Sequence, residues 1–192
     1  MSSLRELKLA VDDLVVYASH GVGRVAGRRQ ELVTLEFEPG LSVTLPIARA
    51  LERMRPVSTE VELARIGKIL GGLGVVSPEN WQRRLKTTRG KLAGGEAESL
   101  AEVVRDARRR EERTKEGNDP SVLSLTERQL SVTARRLLAG EIGASRGVDS
   151  QAADAWIGHQ LAQDSDREPA RKDLLPVEAT PSSGRRARRR RQ

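Results

Sequence analysis

The feature that most constrains this 192-residue chain is a change of hydrophobic period between Pro46 and Ser58. From Lys8 to Pro46 the apolar residues fall in short runs separated by turn residues: Leu14 to Tyr17, Val22 to Gly27, Glu31 to Phe37 and Leu41 to Leu45. Val33, Leu35 and Phe37 alternate with Leu32, Thr34 and Glu36, so one strand has two faces, and Glu38-Pro-Gly40 breaks it before Leu41, Val43 and Leu45 return. Such spacing predicts a small antiparallel β-barrel over residues 8–56, with an exposed strand edge. Beyond Ser58 the apolar residues recur at three- and four-residue intervals, which predicts helices. The fold class expected is α+β: a barrel, a compact helical bundle over 58–163, and a disordered basic tail over 164–192.

Helix boundaries follow from capping chemistry. Arg53-Met-Arg-Pro-Val57 reads as the linker out of the barrel, and Ser58 or Thr59 can cap a helix through Leu70. A second helix is expected from Ser77, with Pro78 in its first turn and Glu79 at the positive end of its dipole, until Gly94-Gly95 stops it. From Glu96 to Lys115, Ala97, Leu100, Val103, Val104 and Ala107 form a buried stripe. Arg105, Arg108, Arg109, Arg110 and Arg113 of that helix are expected to face outward among Glu102, Asp106, Glu111 and Glu112. Ser124-Leu-Thr-Glu127 has the spacing of a capping box for a fourth helix, packed through Leu130, Ala134, Leu137 and Leu138. A fifth, from Ser150 to Gln163, places Trp156 in the core.

The tract from Ser77 to Lys91 concentrates the chemistry. Trp81 opens it, and Arg83, Arg84, Lys86, Arg89 and Lys91 follow with no acidic residue among them. An aromatic beside several cations suits a polyanion site: cations neutralise phosphates and release counterions, while an apolar wedge leans on a base step from the minor groove. The same residues also suit a core tryptophan beside a solvated basic helix face. Both readings stand on the sequence alone.

Composition limits the remaining possibilities. The run from Arg185 to Arg191 carries six of the 34 basic residues, and without it 28 cations face 27 anions. Attraction for polyanions is therefore local, not global. No cysteine is present, which excludes disulfides, thiol catalysis and cysteine-bound metal. No run of 18 apolar residues and no leader-like segment occurs, so a soluble cytoplasmic protein without membrane contact is expected. His20-Gly-Val-Gly23 lacks the spacing and the strand-to-helix context of a phosphate loop, and Gly21 and Gly23 fit a tight turn or bulge. No catalytic constellation, cofactor site or metal site is expected.

Asp12-Asp-Leu-Val-Val-Tyr17 followed by His20-Gly-Val-Gly-Arg-Val25 resembles the opening of the CarD/CdnL family of bacterial RNA polymerase-binding transcription regulators, whose first module also occurs in transcription-repair coupling factor. Asn80-Trp-Gln-Arg-Arg-Leu-Lys86 and Leu100-Ala-Glu-Val-Val-Arg-Asp106 are similar to that family's helical DNA-binding domain. The likeness covers roughly Lys8 to Ser145. It implies a Tudor-like, SH3-like barrel that binds the polymerase β subunit, and a helical domain that meets promoter DNA at the upstream edge of the transcription bubble. Asn80, Trp81, Arg83, Arg84 and Lys86 are the implied DNA-binding residues, and Arg28, Arg29 and Thr44 the implied polymerase surface. The chain departs from the family's pattern at Ala18, where Pro is common, at a shorter turn from Arg28 to Glu31, and at Thr44, where some relatives carry a basic residue. The expected function is a monomeric transcription regulator that stabilises the open promoter complex. The alternative is a polymerase-independent DNA-coating protein driven by the arginine tail. A coupling-factor fragment is disfavoured by the absence of helicase motifs.

Overall fold

The computed structural model describes residues 9–18, 20–72, 80–115 and 123–163. Strands β1 (Leu14–Tyr17), β2 (Gly21–Arg29), β3 (Leu32–Phe37) and β4 (Leu41–Pro46) lead into a short helix α1 (Ile47–Arg53) and a strand β5 (Met54–Pro56). Helices α2 (Glu60–Leu70), α3 (Trp81–Gly94), α4 (Ala97–Lys115), α5 (Leu125–Arg146) and α6 (Ser150–Ala162) follow. A sheet followed by helices is the α+β arrangement anticipated from the change of period. The expected disorder of the tail concerns residues outside those described.

All strand pairs are antiparallel, in the order β4-β3-β2-β1-β5. The alternation along β3 works as expected: Val33, Leu35 and Phe37 are buried while Leu32 and Glu36 are exposed. These side chains join Leu9, Val15, Val25, Ala50 and Met54 in one core. Burying each large aliphatic residue contributes about 1.5–3 kcal/mol. Gly23 is required by packing, since a Cβ there would lie 2.5 Å from the Phe37 ring. A bulge between Val25 and Gly27 bends β2.

Two expectations for this module are corrected. Among the described residues no ladder joins β4 to β5, so the sheet is not a closed barrel. The two strands stand at opposite ends of the sheet and are connected by α1, which packs against β3, β4 and β5 with Ala50 fully buried. The supposed linker is also partly sheet, because Met54 to Pro56 pair with β1 through Tyr17↔Met54, Val16↔Arg55 and Val15↔Pro56.

The bundle has its own core, drawn from Leu63, Ile66 and Leu70 of α2, Leu100 and Val104 of α4, Leu138 and Ile142 of α5, and Ile157 of α6. Trp156 packs against this cluster and lies under the Arg146 guanidinium, 4.7 Å from the ring centroid. Capping boxes at Thr59/Glu62 and Ser124/Glu127 start α2 and α5. Gly95 and Gly147, both in the left-handed region, end α3 and α5.

The described start of α3 differs from the expected one. Its N-cap is Asn80, whose Oδ1 accepts from the Arg83 amide at 3.0 Å; the Ser77 cap proposed from sequence lies outside the described residues. In α4 the outward basic face is also corrected. Arg110 is 6% exposed, and Arg105 is largely buried, donating to Ile69 O and pairing with Asp106.

Candidate nucleic-acid interface

Helix α3 is fastened by charge more than by apolar burial, for none of its residues is buried. Leu92 leans on the bundle core, Arg84 Nη2 lies 3.1 Å from Glu127 Oε1, and Lys91 Nζ lies 2.7 Å from Glu102 Oε2. At about 100° per residue, Arg84, Leu85, Thr88, Lys91 and Leu92 fall on the side facing α4 and α5, and all five are half-buried. Trp81 shares their azimuth but precedes them in the first turn. It therefore extends past the packed part of the helix and is 53% exposed.

The opposite side carries the exposed residues Arg83, Lys86 and Arg89. Among the described residues none of these three has an acidic partner within salt-bridge distance, and α3 contains no acidic residue. Asn80 and the free amides of the first turn add the positive end of the helix dipole next to Trp81. An indole and helix amides thus gather at one end of α3, and unpaired cations line its outer side. Such a surface can hold phosphates through several charge-assisted contacts and press an aromatic face against a base.

Of the residues singled out by sequence, Asn80, Trp81, Arg83 and Lys86 are exposed, the first two at the end of α3 and the cations on its outer side. Arg84 is not. Its side chain is 13% exposed and its Nε also donates to Glu127 Oε1 at 3.1 Å. Burial would raise the Glu127 carboxyl, but hydrogen bonds from the Ser124 amide and hydroxyl and the Arg84 charge outweigh it, leaving its pKa below the ordinary value. Arg84 accordingly ties α3 to the start of α5, and Arg89 takes its place in the exposed basic set. Helical spacing alone contained the signal for Arg89, three residues beyond Lys86.

The residues expected to meet polymerase lie on the sheet. Thr44 is exposed on the edge strand β4, with its Oγ1 2.9 Å from Thr34 Oγ1. Arg28 and Arg29 are exposed at the end of β2, where Gln30 turns the hairpin with φ of 52°. Arg28 lies one cross-strand row, and Arg29 two, from the row of Gly27, Thr34 and Thr44, with β3 intervening. Among the described residues the outer edge of β4 pairs with no strand, so its backbone groups are open to β-augmentation.

No helix among the described residues is long and apolar enough to cross a membrane. Two family models match the chain in order. The CarD-like/TRCF RID domain covers residues 9–58, and the C-terminal domain of CarD covers residues 65–158. The first match ends between β5 and α2, where the sheet gives way to the bundle, and the second begins within α2.

Proposed function

The chain belongs to the CarD family of RNA polymerase-interacting transcription regulators, and from that premise we propose that it docks on the polymerase β subunit through its sheet and stabilises melted promoter DNA through α3. The open edge of β4, with Thr44 and the nearby Arg28 and Arg29, is the docking surface. Trp81 is the wedge, entering the minor groove at the upstream edge of the bubble, where it resists reannealing. Arg83, Lys86 and Arg89 hold the flanking phosphates, with Asn80 setting the end of the helix.

The single observation that carries this reading is the half-exposed Trp81 at the capped end of a helix whose charged residues are all basic. A core tryptophan would be enclosed, as Trp156 largely is. Stabilisation follows only from preference: a surface that binds melted DNA better than duplex shifts the equilibrium toward the open state, whereas equal affinity would shift nothing. The protein acts by binding, not by catalysis, and works as a monomer on the nucleoid.

The test is the lifetime of promoter complexes challenged with competitor DNA, with and without the protein. The wild-type chain should lengthen it, and Trp81→Ala should remove most of that gain while polymerase capture persists. Equal lifetimes with wild type and Trp81→Ala would eliminate the wedge.

A further inference from the structure

Between the two cores lies a polar junction built on one carboxylate. Glu141 is 1% exposed and sits on the apolar side of α5 between Leu138 and Ile142. Its Oε1 accepts from Arg55 Nη1 at 2.5 Å, from the Ser58 amide at 3.1 Å and from Ser58 Oγ at 2.6 Å, and its Oε2 accepts from Arg55 Nη2 at 2.7 Å. The same Nη2 donates to Gly95 O at 2.8 Å, and Ser145 Oγ donates to Ser58 O at 2.6 Å. One ion pair therefore joins β5, the segment after it, the turn between α3 and α4, and α5.

Backbone contacts close in around this pair. Gly95, with φ of 67°, leaves no room for a side chain: a Cβ would lie 2.5 Å from Ala18 Cα in the turn after β1. Gly21, at the start of β2, abuts Leu137 of α5, where a Cβ would lie 2.9 Å from Cδ2. Neither hydrophobic core contains Arg55, Ser58 or Glu141. Buried ion pairs stabilise less than apolar replacements of the same shape, so cohesion alone does not account for this one; their best-attested use is to fix one arrangement over others.

What would be fixed is the direction of α3. Its C-terminal end, at Gly94 and Gly95, is held at the junction, and Trp81 stands at the other end, roughly 20 Å away at 1.5 Å per residue. A tilt of about 10° at the junction would carry the indole some 3–4 Å, on the order of one 3.4 Å base step. We infer that Arg55 and Glu141 are positioning residues that lock the angle between the sheet and α3, so that docking of the sheet delivers Trp81 to one base step. This deepens the proposed function and rests on it. Two surfaces held rigidly on one body act at high effective concentration, and loosening the body weakens their joint action without altering either surface.

The absence of cysteine allows Ser42→Cys on β4 and Thr87→Cys on α3, both exposed, to carry spin labels in the full chain, measured free in solution. The wild-type background should give one narrow distance distribution, and Glu141→Gln or Arg55→Lys should broaden or shift it. Without labels, both variants should capture polymerase and bind a short DNA duplex as wild type does, yet shorten the open-complex lifetime about tenfold. An unchanged distance distribution in both variants overturns the inference, as does a broadened one with wild-type lifetime. Loss of the folding transition in both also overturns it, because the pair would then support the fold and not its angle. Should wild-type protein itself leave the lifetime unaltered, the functional reading falls separately, and the label distances still decide whether the lock exists.

Discussion

Replacing Arg84 should weaken the fold, whereas replacing its neighbour Arg83 should weaken only binding. Arg84 is 13% exposed and paired at 3.1 Å with Glu127, whose side chain is 7% exposed. In Arg84→Met the Glu127 carboxylate stays buried with its Ser124 hydrogen bonds but without the compensating charge. A fully buried pair broken on one side costs about 3–5 kcal/mol, and a buried group left short of a partner about 1–3 kcal/mol. Because Ser124 remains, the lower range applies, and about 2 kcal/mol corresponds to a fall in melting temperature of roughly 4–8 °C for a domain of this size. Arg83→Met, at an exposed site, should stay within about 0.5 kcal/mol. The pH dependence has a definite sign. The folded Glu127 pKa lies below its unfolded value, so its contribution is complete above about pH 4.3, the unfolded carboxylate range, and is lost as pH falls through the folded value. Thermal denaturation of both variants at neutral and acidic pH tests this; equal melting temperatures for the two at neutral pH would refute the division of labour within α3.

Charge reversal at Arg83 and Lys86 together should lower DNA affinity and flatten the dependence of log K on log salt by roughly 0.7–0.9 per lost phosphate contact, as measured by fluorescence anisotropy; an unchanged slope places the phosphates elsewhere. Thr44→Asp should reduce polymerase capture and Thr44→Arg increase it, in line with the basic residue some relatives carry there, and identical capture would remove β4 from the interface. Gly95→Ala should cost about 2–4 kcal/mol in urea denaturation, combining the left-handed backbone with collision against Ala18, while Gly147→Ala, also left-handed but open, should cost only about 1 kcal/mol.

Local pattern carried much of this fold because most elements announce themselves within a few residues. The alternation of β3 and the Thr59/Glu62 and Ser124/Glu127 boxes are examples, each complete within a short stretch. Elements that depend on distant partners were not legible. β5 is three residues ending in proline, with no periodicity to detect, and becomes a strand only through pairing with β1. Ser77 is the cap expected for α3 from sequence, whereas the cap is Asn80, a residue type that N-cap propensity ranks beside serine. Arg83 and Arg84 are indistinguishable by composition, and what separates them is a glutamate 43 positions later. Nothing local marks Glu141, whose partner Arg55 is 86 residues away in another module.

The central claim is that the indole of residue 81 touches DNA at the upstream edge of the bubble, and photo-crosslinking reads that contact directly. A benzoylphenylalanine introduced at position 81 of the full chain, irradiated within polymerase–promoter complexes, should attach to nucleotides at that edge only when polymerase is present. Crosslinks confined to protein, or to DNA in the same pattern without polymerase, would contradict it.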